Sequence, residues 1–139
     1  MFFSFKWDPD VWRANILRNA ARIQGATSVG YWDDSLYERS LARNPDYIKR
    51  KIREGLNGTS VTIIVVSDRT IESSYVKYEY EKSIEMGNKI LQIDVSNMNT
   101  PIGYSNFNGW LPYIKGGYTV KWFKNCPLGD WIEYTFRNG

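Results

Sequence analysis

The chain has no histidine, one cysteine and five prolines in 139 residues. Without histidine, a zinc site built on imidazole or a nucleophile activated by a neighbouring imidazole is excluded, and one thiol cannot complete a thiolate cluster. Cys126 also has no partner for an internal disulfide, which fits a reducing compartment. No segment approaches the roughly 18 apolar residues that a membrane helix needs. The apolar start Met1–Phe5 is too short for a signal peptide, so the expectation is a cytoplasmic protein without a membrane partner. Neither sign of charge dominates: 18 Lys and Arg against 15 Asp and Glu leave +3. The longest basic block, Lys49-Arg50-Lys51, is too short for a nucleic-acid footprint and at most favours a small anion. The phosphate-cradling patterns G-x-x-x-x-G-K-[ST] and G-x-G-x-x-G are both missing, so neither a P-loop nor a classical dinucleotide fingerprint is expected.

Aromatics are plentiful, with six Trp and ten Tyr making up most of a 16% aromatic share, and 42% of the chain is hydrophobic against 24% charged. This balance gives a globular chain that buries its own core, read as a single domain over 1–139. Phe2 to Phe5 reads as a short buried strand. Asp8 before Pro9 marks a helix start, with Trp12, Ile16, Ala20 and Ile23 as its apolar stripe and Gly25 as its stop. Ser28–Trp32 can form a second strand. Asn44-Pro45 repeats the cap before Ile48, Ile52 and Leu56, and Gly58 closes that helix.

Ser60–Val66 is a continuous β-branched run, the pattern of a strand covered on both faces. The helix Ser73–Met86 stops at Gly87-Asn88, and Lys89–Val95 forms another strand. Residues 96–120 lose all period and read as an irregular insertion or lid. Val120–Phe123 follows as an edge strand, then Asp130–Arg137 as a short terminal helix or extended segment with Trp131, Tyr134 and Phe136 turned inward. Strands alternating with helices imply an α/β doubly wound fold around a mainly parallel sheet, whose ligands bind beyond the carboxyl ends of the strands.

Within the helix Ser73–Met86, a rotation of about 100° per residue places Val76, Tyr80, Ser83 and Ile84 on the buried stripe and Lys77, Glu81 and Glu85 opposite it. Glu79 falls on the shoulder, beside Tyr75 and near the helix start. A half-sheltered carboxylate there suits glycosidic cleavage, because it holds ribose hydroxyls and stabilises developing positive charge. A boundary glutamate that merely solvates the helix is the commoner explanation of such a position, and the pattern alone leaves both open. Asp8, Asp10, Asp33 and Asp34 are explained by caps and turns at least as well as by a divalent ion, so no metal is expected. Asn57-Gly58-Thr59 matches a glycosylation acceptor but reads better as a helix stop. Trp7, Tyr31 and Trp32 flank the expected crevice, where flat rings stack on a base or serve the core.

Three stretches together resemble the TIR-like proteins of the Thoeris anti-phage system: Phe2-Phe3-Ser4-Phe5, Gly30-Tyr31-Trp32-Asp33-Asp34-Ser35-Leu36, and the run from Thr59-Ser60-Val61-Thr62 through Ser73-Ser74-Tyr75-Val76-Lys77-Tyr78-Glu79 to Ser83-Ile84-Glu85-Met86-Gly87-Asn88-Lys89-Ile90. The resemblance covers about the first two-thirds of the chain and stops near Ser96. It implies a flavodoxin-like fold and an NAD glycohydrolase or ADP-ribosyl cyclase activity that breaks the nicotinamide ribosyl bond to make an ADP-ribose-derived signal. NAD is then substrate, not cofactor. The implied partners are an effector protein that responds to the product, a phage trigger protein and a second copy of the chain.

The family's aromatic-Val-x-x-Glu pattern falls on Tyr75-Val76-Lys77-Tyr78-Glu79, which makes Glu79 the catalytic residue. Tyr75 stands where many TIR domains have Trp. Ser4, Phe5, Trp7, Asp33, Ser67 and Tyr75 would line the substrate cleft. Two alternatives are a nucleoside deoxyribosyltransferase-like enzyme, which also uses a glutamate at a sugar carbon, and a non-catalytic TIR-type or receiver-like interaction module.

Overall fold

The computed structural model describes residues 1–5, 7–25, 45–98, 106–112 and 115–139. The first strand, β1, spans Phe2–Ser4. Helix α1 spans Trp7–Ile23 and begins one residue ahead of the Asp8 cap expected from sequence. The Ser28–Trp32 strand and Asp33 lie outside the described residues. Helix α2 is Pro45–Leu56, β2 is Val61–Val66 and α3 is Ser74–Glu85. β3 is Lys89–Asp94, β4 is Tyr118–Lys121 and α4 is Leu128–Asn138.

The described strands form a four-stranded sheet in the order β1-β2-β3-β4, and each neighbouring pair is parallel. Ser4 pairs with Ile64, Val66 with Asp94 and Asp94 with Lys121. Because side chains alternate across a strand, each strand supplies both layers. Phe3, Val61, Ile63, Val65, Leu91 and Ile93 pack with Ala14, Leu17 and Ala21 of α1 and with Leu128 and Ile132 of α4. On the other face, Phe2 packs with Ile52 and Leu56 of α2, flanked by Tyr75 and Tyr78. Ile64, Val66 and Ile90 pack there with Val76 and Tyr80 of α3. Helices on both faces of a parallel sheet make this an α/β, flavodoxin-like fold of the TIR-like kind.

Two helices differ in phase from the sequence expectation. In α1, Trp12, Ile16 and Ile23 are exposed, Ile23 at 84%, while Ala14, Leu17 and Ala21 are fully buried. The helix carries two candidate stripes, and the one with alanines wins because small side chains let it approach the sheet closely. In α4, Tyr134 and Phe136 face solvent at 56% and 50%, and Trp131 is half-buried. The inward positions are Leu128, Ile132 and Thr135. The helix starts two residues earlier than expected, at Leu128, and this residue completes an i, i+4, i+7 stripe with Ile132 and Thr135. Ile84 of α3, expected inside, is likewise exposed at its helix end.

Helix stops behave as read: Gly25 and Gly87 have φ of 86° and 84°, the left-handed region that glycine enters without a Cβ clash. The edge strand lies two residues earlier than expected and takes the last residues of the 96–120 stretch. Part of that stretch is firmly held. The Gln92 side chain donates to Leu111 O at 3.2 Å and accepts from Leu111 N at 2.9 Å, acting as a backbone partner would. The Tyr80 hydroxyl donates to Pro112 O, so this segment is tied directly to α3.

Cys126 is buried in the α1/α4 layer. Burial pushes its thiol pKa up, and backbone hydrogen bonds offset this only in part. Since the thiolate is the reactive form, iodoacetamide at pH 8 should label the folded chain at least about tenfold more slowly than the urea-unfolded chain, as read by mass spectrometry.

Candidate active site

Helix α3 starts just after the carboxyl end of β2 and ends before the amino end of β3, so it runs antiparallel to the strands. Its first turn is capped by Ser73, whose Oγ accepts from Val76 N at 3.2 Å, and this cap fixes where the helix begins. Upstream, Ser67 N donates to Thr70 Oγ1 at 2.8 Å, and Thr70 Oγ1 donates to Val65 O at 3.3 Å. These bonds tie the exit of β2 to the short 3-10 turn Thr70–Glu72.

Glu79 is 1% exposed. The expected shoulder position is therefore an interior one, and the side chain takes its place with Val76, Tyr80 and Ser83 on the inner face of α3. A buried chain of hydrogen bonds sets its height. Asn88 Nδ2 donates to Thr59 Oγ1 at 2.8 Å and to Thr62 Oγ1 at 3.1 Å. Thr62 Oγ1 donates to Ser83 Oγ at 2.8 Å, and Ser83 Oγ donates to the Glu79 carbonyl at 2.6 Å. Ser83 thus lies against Thr62 of β2.

Glu79 is one turn nearer the helix start, about 6 Å along the axis. On β2 the same rise of about 6 Å covers two residues and reaches Ile64, whose register partner is Ser4. Ser4 shares with Phe2 the sheet face that α2 and α3 cover, and α3 touches β1 directly. A buried carboxylate-bearing residue and a buried serine therefore occupy one level and one layer, in the carboxyl half of the sheet.

The Thr62, Ser83 and Asn88 chain is not legible as a site in the sequence. Thr62 sits in a β-branched run and looks like an ordinary strand former. Removing its hydroxyl strands buried polar partners, so Thr62→Val should cost about 1–3 kcal/mol in urea unfolding. Thr62→Ser should recover most of that, and a double-mutant cycle with Ser83→Ala should give a coupling of about 0.5–3 kcal/mol.

The other residues put forward by the sequence distribute unevenly. Tyr75 is half-buried on the same side as Glu79, packed against the Phe2, Ile52 and Leu56 cluster. Ser67 is buried at the carboxyl end of β2. Phe5 is buried, but with Phe3 in the α1/α4 layer, away from the face that holds Ser4. The Trp7 side chain and all of Asp33 lie outside the described residues. Arg13 of α1 escaped the sequence reading and is 1% exposed. Nothing in composition distinguishes it from the other arginines of α1.

A cleft of about 610 Å³ opens elsewhere, at the amino ends of β1 and β2, lined by Met1, Ser60, Asp130, Glu133 and Phe136 among others. It lies at the opposite end of the sheet from Ser67 and the start of α3, so it is not the crevice that parallel sheets of this kind present to ligands. Among the described residues no helix is long and apolar enough to cross a membrane.

Helices flanking a parallel sheet, with a buried glutamate one turn above a strand-anchored serine, define a TIR-like α/β domain. Residues 2–100 match the family described as Thoeris protein ThsB, TIR-like domain, and the chain belongs to that family. It is also 34% identical over 120 residues to a protein of Bacillus cereus (strain MSX-D12) named "Putative cyclic ADP-D-ribose synthase ThsB1". That match takes in 85% of this chain and 62% of the Bacillus protein, so the chain spans about three-fifths of its relative's length.

Proposed function

We propose that the chain consumes NAD, breaking the bond between nicotinamide and its ribose to form an ADP-ribose-derived signal, a cyclic isomer or a conjugate. The observation that carries this reading is Glu79, buried on the inner face of α3 at the level of Ser4, in the position that the family pattern Tyr75-Val76-Lys77-Tyr78-Glu79 reserves for its carboxylate. The name of the Bacillus relative supports the same class of chemistry.

The chemistry suits a site without histidine. In NAD the nicotinamide nitrogen is already cationic, so when the C1′–N bond breaks the electron pair leaves with the ring and nicotinamide departs neutral. No general acid is required. The demand is on the ribose, which becomes an oxocarbenium-like cation, and a carboxylate below it stabilises that charge in a setting of low dielectric.

Glu79 takes this role and also accepts from a ribose hydroxyl, while Ser4 and Tyr75 shape the floor and side of the pocket. Capture by water gives ADP-ribose and a proton, and capture by an adenine nitrogen of the same molecule gives a cyclic product. A second small molecule in that place yields a conjugate. The product then acts on an effector protein, and a phage component or self-association of the chain raises activity. Incubating the concentrated protein with NAD, with and without lysate of phage-infected cells, tests this: free nicotinamide is the expected product, and its absence under both conditions refutes the proposal.

A further inference from the structure

Ser4 Oγ, Asp68 Oδ1 and Asn97 Oδ1 are shut off from solvent and have no hydrogen-bond partner among the described residues. Burying such an oxygen unpaired is costly, and native proteins seldom tolerate it without a reason. All three come at the carboxyl ends of neighbouring strands. Ser4 closes β1, Asp68 follows the end of β2 by two residues, and Asn97 follows the end of β3 by three. The carboxyl ends of three adjacent strands thus each hold a buried oxygen without a partner among the described residues.

The neighbouring polar groups are satisfied by contrast. Asp94 Oδ1 accepts from Ser96 N at 2.9 Å and from Ser96 Oγ at 2.7 Å. Asn97 is held by its other amide atom, Nδ2 donating to Trp122 O at 2.8 Å, which fixes which atom is left as the acceptor. The carboxyl edges of β2 and β3 are themselves bonded, Val95 N donating to Val66 O at 2.9 Å, so the segments carrying Asp68 and Asn97 leave the sheet side by side.

We propose that Asp68 and Asn97 form a subsite for the cis-diol of a ribose, a role assigned to neither residue by the sequence or by the family pattern, and one that rests on the NAD reading above. Two acceptors, one of them a carboxylate, call for a ligand group with two donors. A phosphate brings only acceptors and negative charge and is repelled by Asp68. An apolar group leaves both oxygens unpaired. Adjacent hydroxyls on one sugar supply two O–H donors a short distance apart, and an acidic side chain beyond a strand end is a recurrent partner for a ribose hydroxyl. Ser4 lies at the level of Glu79 and serves the reacting sugar, so this pair governs which sugar-bearing ligand is retained.

NAD carries two ribose diols, and the test separates them. Binding of NAD, adenosine, 2′,3′-dideoxyadenosine and nicotinamide mononucleotide is measured by calorimetry on the Glu79→Gln chain, whose expected loss of turnover keeps NAD intact during the titration. The same titrations follow with Asp68→Asn and Asp68→Ala added, and circular dichroism confirms the fold of each variant. If the alanine variant fails to fold, the near-isosteric asparagine variant carries the result.

Loss of a charge-assisted hydrogen bond should weaken NAD about tenfold or more. Adenosine should weaken equally if its diol is the one held, and nicotinamide mononucleotide if the other is. Dideoxyadenosine should respond to Asp68 by less than twofold. NAD binding that stays within twofold in Asp68→Asn and Asp68→Ala overturns the subsite alone, as does an equal loss for adenosine and its dideoxy analogue. Failure of all four probes to bind the Glu79→Gln chain overturns the subsite together with the NAD reading.

Discussion

Replacing Glu79 with Gln should lower nicotinamide release from NAD by about a thousandfold, while the chain stays folded. The substitution keeps the length of the side chain and its place on the inner face of α3, but exchanges a full negative charge for a dipole. A preorganised group that faces charge developing in the transition state contributes a factor of about 100 to 1,000 when removed singly. A carboxylate facing a cation in a site closed to water belongs at the upper end of that range. Binding of NAD should change far less than turnover, because the ground-state sugar carries no formal charge on its ring. The comparison is made by chromatography of nicotinamide over time, with thermal unfolding as the control for folding. Glu81 and Glu85, on the exposed face of the same helix, provide the contrast: their glutamine variants should retain activity within about twofold.

The largest effect on stability is expected from Phe2→Ala, at about 3–5 kcal/mol. Phe2 is fully buried and is the apolar residue of β1 on the face that α2 and α3 cover, packed in the cluster of Ile52 and Leu56 with Tyr75 and Tyr78 at its margin. Truncation leaves a cavity bounded by two helices and a strand, which close in on it only partly. For a chain of this size the melting temperature should fall by roughly 10 °C or more. Helix α1 supplies a matched pair for the same assay. Leu17→Ala should cost about 2–5 kcal/mol, whereas Ile23→Ala, at a position 84% exposed, should stay within about 0.5 kcal/mol.

Much of this architecture is legible in the chain because its strongest signals are local. Val61–Val66 is an unbroken apolar and β-branched run, and all six of its residues are buried. Pro45 opens α2 and Gly87 closes α3 for reasons internal to a few residues. What the sequence conceals is set by packing across the fold. The face that α1 turns inward is chosen by how closely the helix can approach the sheet, which favours Ala14 and Ala21 over the larger Trp12 and Ile16. The same holds for α4, where Leu128, Ile132 and Thr135 face inward and Tyr134 and Phe136 face solvent.

The site divides along the same line. Glu79 stands out by its pattern, but a shoulder position on a helical wheel does not reveal that Thr62, Ser83 and Asn88 hold that helix against β2. The depth of the carboxylate-bearing residue depends on those three, which come from a strand, a helix and the turn after it. Asp68 and Asn97 are similarly mute in sequence, since an Asp and an Asn after strands are ordinary turn residues. Only the lack of a partner among the described residues for the buried Oδ1 of each sets them apart.

Mass spectrometry of the chain's reaction with NAD, run beside the Glu79→Gln variant, tests the central claim most directly. The expected result is nicotinamide released in equal amount with an ADP-ribose-derived product by the unaltered chain, and neither from the variant. Equal release by the two proteins, or intact NAD with the unaltered chain at high concentration and with infected-cell lysate, would contradict it.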